Sequence, residues 1–326
     1  MSRIKNVGRM TNAGLAVCTV ICGFIIMWAS SVGGSNTESS IATVLEQTVD
    51  IDATRPSSLN NGKLVVAAGN LRGEPLLGDE YLNPQPVVRL KRHVEMLQWV
   101  ESEDAGSGST TPVTYSLQWV SHEVDFFQFR EPTGHENPVM KAQPVDSKAS
   151  TILFGAFDGV RIVEAIQELQ ALELKPEKLK DPTIPIEKNK LLIKREPGAP
   201  GLSLGDMRVW YTAIPSGDYT VMAEQADEVF LLGEKVRGRL VIQPGQYSAD
   251  ELYEQLSQGA KKAYTGMLMF GALIMAFGLV SALKPYAERL DLNPKINVRG
   301  MPAVVLVSLG ISAAIMAIFM VLSVVG

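Results

Sequence analysis

The sequence predicts a membrane-anchored α+β protein: a strand-rich exported domain with a few helices, plus three transmembrane helices. Three observations carry that prediction. Three long stretches have no charged side chain, nearly all the charge lies between the first and the second, and that charged region alternates apolar and polar residues. Segregation of this kind lets 46% hydrophobic residues and a mean hydropathy of +0.10 coexist with 20% charged residues.

The charge-free stretches are residues 13–34, 263–283 and 301–326. A helix rises about 1.5 Å per residue, so about 20 residues cross a hydrocarbon core of about 30 Å. A buried core helix covers only about 10 to 14 apolar residues. All three stretches therefore read as spans. The first also follows Arg3, Lys5 and Arg9, as a signal peptide would, but a signal h-region runs about 7 to 15 residues. It reads as an uncleaved anchor.

Orientation follows from Lys and Arg. The tail 1–12 carries three, and the loop 284–300 carries Lys284, Arg289, Lys295 and Arg299. The opposite flanks carry only Lys261 and Lys262. Seven against two places the tail and the loop in the cytoplasm and residues 35–262 outside, as one large exported α+β domain. Seven of the 30 basic and two of the 35 acidic residues lie elsewhere, so this domain holds 23 against 33, a net of −10. So acidic a domain is a poor partner for nucleic acid, which needs clustered Lys and Arg. Its only partners expected are the bilayer, itself and other membrane proteins. Both cysteines, Cys18 and Cys22, fall in the first span, so the domain has no disulfide framework.

Within the domain, residues 35–58 read as a polar stalk with a short helix near 41–47. Leu64 to Ala68 lies between the turn signals Asn61-Gly62 and Gly69-Asn70, as a strand would. From Val88, period two places Val88, Leu90, Val94, Met96 and Val100 on one face. Arg89, Lys91, His93, Glu95 and Glu101 fall on the other, with a bulge expected near Arg92. Residues 88–126 read as a hairpin through a Gly/Ser/Thr loop. A second hairpin is expected from 207–213 and 219–223 through Pro215-Ser216-Gly217-Asp218, with a strand at 240–242. Residues 158–173 read as a helix with Ile162, Ile166, Leu169 and Leu172 on its stripe. Ser248-Ala249-Asp250-Glu251 is a capping-box pattern opening a helix that runs into the second span.

The chemistry-bearing patterns are sparse. His93, His122 and His135 have no His or Cys neighbour at metal-ligand spacing, and each reads as a structural or surface histidine. No phosphate loop, G-x-S-x-G elbow or H-E-x-x-H occurs. No catalytic residue, cofactor or metal is expected. The spans lack the ionisable residues that pumps and ion-coupled transporters place inside a bilayer. They do carry small residues four apart: Gly14, Cys18 and Cys22; Ala272 and Ala276; Gly278 and Ala282; Gly310 and Ala314. Such spacing lets helix backbones approach closely.

The order of parts, with the string Leu90-Lys91-Arg92-His93-Val94-Glu95-Met96-Leu97-Gln98-Trp99-Val100-Glu101, resembles the transmembrane protein 43 (LUMA) family. Gly134-His135-Glu136-Asn137-Pro138, Gly205-Asp206-Met207-Arg208-Val209 and Asn61-Gly62-Lys63-Leu64-Val65 match its other motifs. The resemblance implies a multi-span protein of endoplasmic reticulum and inner nuclear membrane in animals, with bacterial relatives. It also implies a scaffold that self-associates through its spans and organises emerin and lamins, with no catalytic residues to carry over. The family usually adds a fourth span and a basic tail beyond the point where this chain stops, and an aromatic where this chain has Leu97. A bacterial inner-membrane relative with its large domain in the periplasm is expected. The alternative location is the endoplasmic reticulum or inner nuclear membrane.

The residues expected to matter, for structure or interaction, are Arg92, His93, Glu95, Gln98, Trp99 and Glu101, then Gly134, His135, Asn137 and Pro138, then Gly205, Asp206 and Arg208. Gln98-Trp99 and Gln118-Trp119 are expected to face each other across the first hairpin, pairing the tryptophans. The expected function is a self-associating membrane scaffold. The alternative is a membrane-tethered exported module that binds lipid or an envelope polymer.

Overall fold

A computed structural model describes residues 2–103, 113–231, 241–289, 291–293 and 298–325. Along the chain, helix α1 (Ser2–Leu45) leads to strands β1 (Val49–Asp52), β2 (Leu64–Glu74), β3 (Val87–Glu103) and β4 (Val113–Val120). Then come β5 (Val145–Lys148), β6 (Thr151–Phe154), β7 (Phe157–Asp158), the short helix α2 (Val160–Ala165) and β8 (Gln170–Ala171). Strands β9 (Ile186–Glu187), β10 (Lys190–Ile193), β11 (Met207–Pro215), β12 (Gly217–Ala226), β13 (Val229–Leu231) and β14 (Val241–Pro244) follow. Helix α3 (Ala249–Leu283), the strand pair β15 (Asp291–Asn293) and β16 (Val298–Arg299), and helix α4 (Met301–Val325) complete the chain.

Two compact units result: Val49–Ser248, and Met1–Thr48 with Ala249–Gly326. The first is strand-rich and holds two seven-stranded sheets. One runs β13-β12-β2-β6-β7, with β1 beside β2 and β14 beside β12. The other runs β4-β3-β11-β10-β9, with β5 beside β3 and β8 beside β11. Each sheet has its own apolar core. Val65, Leu71, Phe154, Phe157, Val221 and Phe230 fill the first, which α2 helps to cover with Ile162 and Val163. Leu90, Val94, Met96, Leu191, Val209 and Tyr211 fill the second.

The long strand at Val88 and its hairpin with β4 are present, paired from Met96↔Val120 to Glu103↔Val113. Several other expectations need correction. Residues 207–223 are not a hairpin. β11 pairs with β3, whereas β12 pairs with β2, so the chain changes sheet at Ser216. The helix expected over 158–173 ends at Ala165, because Gln170 and Ala171 pair with β11 instead. Ile166 and Leu169 pack on the first core and Leu172 on the second, so the apolar spacing serves two cores. Arg92 is in regular register with Tyr211, and the irregularity lies where Ile214 and Pro215 face Arg89 and Val87. The short helix near 41–47 is the end of α1, which continues unbroken past Gly34. The last expected strand covers Val241–Pro244, and Leu240 lies outside the described residues.

The second unit contains three helices long and apolar enough to cross a membrane, at Gly14–Gly34, Ala249–Ala287 and Met301–Leu322. Helix α3 starts directly after Ser248, with Asp250 and Glu251 in its first turn where the helix dipole favours acids. Met27, Leu268, Ala272, Met275 and Phe319 make the bundle core. Glycines set the α1–α3 approach. A Cβ on Gly23 would stand 2.6 Å from Gly271 O and Met275 N, and one on Gly278 would stand 2.8 Å from Val20 N. Ser31 donates to the Phe319 carbonyl at 3.1 Å, tying α1 to α4.

Candidate functional site

The family-motif residues gather on β3 and its neighbours, and they divide between the two faces and one edge of the second sheet. Alternation decides which face each takes. Arg92 and Gln98 point inward with Leu90, Val94 and Met96.

Inward, Arg92 Nη1 meets Asp79 at 2.9 Å and Glu80 at 2.8 Å, and its Nε donates to the Gln143 carbonyl at 3.0 Å. The Tyr211 hydroxyl donates to Asp79 at 2.9 Å. Burial, then the Asp79 charge, pushes the Tyr211 hydroxyl pKa far above its ordinary range. Buried charge costs free energy unless paired and hydrogen-bonded, and here every member has a partner. Gln98, with no exposed surface, donates to the His122 carbonyl at 2.7 Å and accepts from Val124 N at 3.0 Å. It fastens the segment after β4 to β3.

The edge is where three of the four strings meet, while Asn61-Gly62-Lys63-Leu64-Val65 leads into β2 of the other sheet. Beyond Met207 strand β11 ends, yet Leu97 N donates to the Asp206 carbonyl at 2.9 Å and Gly205 N donates to the Leu97 carbonyl at 2.8 Å. Two residues on, the next backbone pair is taken by a side chain. Trp99 N donates to Asn137 Oδ1 at 2.7 Å, and Asn137 Nδ2 donates to the Trp99 carbonyl at 3.0 Å. Asn137 thus extends the ladder past the end of β11. Gly205 has φ +88°, and a Cβ there would stand 2.8 Å from Pro138 Cγ, so the two loops touch where only glycine fits.

Asp206 holds the turn before β11. It accepts from Arg195 N at 3.0 Å and Ser203 N at 2.9 Å and pairs with Lys194 Nζ at 2.8 Å. Burial pushes its carboxyl pKa up, but the Lys194 contact and the two backbone amides outweigh that and hold it below the usual carboxylate range. Lys194 also bonds the Gly201 carbonyl.

Outward, cations and aromatics interleave. The His93 ring stacks on Trp210 with centroids 5.1 Å apart, and Lys190 Nζ lies 3.8 Å from the same indole centroid. Lys190 also pairs with Glu95 at 3.0 Å, and the Arg208 guanidinium sits 3.9 Å from the Trp119 centroid. Burial, then the nearby Lys91, depresses the His93 pKa, and Nε2 lies 2.9 Å from Thr212 Oγ1. Further along, His135 stacks on Tyr115 at 3.8 Å, and its ring meets Trp99 edge-on at 4.9 Å. The Tyr115 hydroxyl donates to Glu101 at 2.6 Å, and Arg130 N donates to the same carboxylate at 2.7 Å. Both bonds favour the charged form and hold the Glu101 pKa low. Gly134 has φ +89° and open space around it.

The expected tryptophan pair needs correction. Gln98 does face Gln118, but Trp99 faces Leu117 and Trp119 faces Leu97. The rings sit diagonally, and each finds another partner: His135 for Trp99 and Arg208 for Trp119. Trp210, Lys190 and Asp79 were not singled out from the sequence. Trp210 was findable, because it shares the period of Arg208 on a strand already expected.

Of the small residues in the spans, Ala272, Ala276 and Gly278 are buried and Ala282 is half-buried. Gly310 and Ala314 face outward, as do Gly14, Cys18 and Cys22. Among the described residues, no group of three or more His, Cys, Asp or Glu could hold a metal ion.

The model of the family described as Transmembrane protein 43 matches residues 96–326. Over 294 residues the chain is 27% identical to Transmembrane protein 43 of Mus musculus, covering 82% of this chain and 73% of that protein. It is 26% identical to the Homo sapiens protein over the same length and the same shares. The Pongo abelii protein is 26% identical over 282 residues, with 79% and 70% covered. No solved structure matches. With the family match spanning well over half its length and including two of the strings that meet at β3, the chain belongs to the transmembrane protein 43 family.

Proposed function

We propose that this chain is a multi-pass membrane scaffold that self-associates within the bilayer and organises partner membrane proteins. One observation carries the reading. On α4, Gly310, Ala313, Ala314 and Ala317 are all exposed at helical spacing, and nothing lies within 4 Å of where a Cβ on Gly310 would stand. Lipid supplies little hydrophobic drive between helices, so association relies on close packing at small residues. The small residues buried on α3 are occupied within the chain. Those on α4 are available to a second copy. The Lys and Arg asymmetry favours the large domain outside. The location we propose is a bacterial inner membrane with that domain in the periplasm, with the endoplasmic reticulum or inner nuclear membrane as the alternative.

Disulfide trapping tests the seam. In a background where Cys18 and Cys22 are replaced by Ser, Ala314→Cys should give a covalent dimer under mild oxidation in the membrane. Ala276→Cys, buried in the bundle, should not. Failure of Ala314→Cys to cross-link, with cross-linking through Cys18 or Cys22 in the parent, would move the seam to α1 and overturn the α4 assignment.

A further inference from the structure

The strand-rich unit contains a cavity of about 470 Å³ whose wall joins two of the family strings: Pro138 and Val139 from one loop, Gly205 and Met207 from the other. That volume lies within the range of small-ligand sites, about 300 to 1,000 Å³. Three cations reach it, Lys141, Lys194 and Arg195. Lys194 is committed to Asp206. Among the described residues, the side chains of Lys141 and Arg195 have no ion-pair or hydrogen-bond partner. The nearby carboxylate does not answer them, because both Asp206 oxygens are already engaged by Lys194, Arg195 N and Ser203 N. Both Lys141 and Arg195 are exposed at the concavity, so a ligand arriving from solvent can reach them.

Geometry also aims one of them. The Arg195 stem crosses Gly205 so closely that a Cβ there would stand 2.7 Å from Arg195 Cδ. The absent side chain leaves the guanidinium its path to the cavity. Guanidinium groups grip phosphate by paired N–H donors, and ammonium groups add a mobile point charge. The rest of the wall is Tyr81 together with the apolar Pro138, Val139, Ile193 and Met207.

We propose that this cavity binds a phosphate-bearing ligand, its phosphate between Arg195 and Lys141 and its apolar part against Val139 and Ile193. The shared chemistry is a phosphate ester, which a phospholipid headgroup or a soluble phosphate ester could supply. The inference is independent of self-association, since the cavity is complete within one chain.

The test uses the full chain in two arms, the first in maltoside detergent, which carries no phosphate, and the second in phosphatidylcholine nanodiscs. Glycerol phosphate is titrated by calorimetry, and phosphatidylglycerol is doped into the disc and its retention counted by native mass spectrometry. Saturable binding in the first arm identifies a soluble ligand, and selective retention in the second alone identifies a headgroup. In either arm, Arg195→Gln and Lys141→Gln should each weaken binding about tenfold, and Gly205→Ala should do so while keeping both charges. Lys175→Gln, at a surface ion pair with Glu173, should change nothing. All of these variants are checked for an unchanged melting temperature except Gly205→Ala, where some loss is expected from its positive φ. No binding in either arm, or binding that the Arg195 and Lys141 variants leave intact, would overturn the proposal.

Discussion

Asp206 has no exposed surface and carries its charge on three donors, Lys194, Arg195 N and Ser203 N. Hydrogen bonds to a charged group contribute about 1.5 to 3 kcal/mol each, and removing one partner of a buried pair strands the other. Asp206→Asn should therefore lower stability at pH 7 by about 3 kcal/mol, read as a fall in the denaturant midpoint. The sign with pH follows from a depressed folded pKa. The stabilisation is complete above the unfolded Asp value of about 3.9 and disappears as pH falls through the lower folded value. The gap between parent and variant should close over that acidic window. If the gap stays constant from neutral pH down through the window, the charge is not what Asp206 contributes. Single-residue roles of this kind were poorly legible in the sequence. Asn137 and Gln98 satisfy backbone groups with carboxamides, a role with no periodic signature. Arg92 looked like a break in an apolar face because its partners Asp79 and Glu80 lie in a separate loop.

At the scale of the element, legibility depended on length. Strand β3, 17 residues long and alternating from Val88 to Met96, was plain, as were the three spans. Shorter patterns failed where two partners competed. The stretch 158–173 has helical apolar spacing, but its two halves serve different cores. Residues 207–223 carry two strands and a turn composition, and nothing local states that the strands join different sheets. The span glycines were half legible: Ala276 and Gly278 were singled out, while Gly23 and Gly271 were not. Those two set the α1–α3 distance, because a Cβ on Gly23 would meet backbone atoms that cannot rotate aside. Gly23→Ala should cost about 2 kcal/mol, as overpacking commonly does, and lower the melting temperature in detergent. Gly310→Ala, with open space around it, should be tolerated. Equal tolerance at both sites would mean that α1 and α3 do not pack through these glycines.

For the molecule as a whole, charge segregation in the sequence anticipated both units, a strand-rich one and a helical one with three apolar spans. The motif strings led to the family, which the comparisons establish. What the strings do was not legible, since their meeting at one edge of β3 depends on contacts between residues about 40 to 110 positions apart. Three of the four strings build the second sheet and one wall of its cavity, and in the scaffold we propose association falls to the outward stripe on α4. Particle mass by native mass spectrometry from mild detergent or nanodiscs tests that division of labour most directly. The parent should give a multiple of the 35.4 kDa chain mass, and Gly310→Leu with Ala314→Leu should give the single chain, since both changes keep the span apolar and insertable. A parent particle of one chain, or a double variant that keeps the parent mass, would contradict the account.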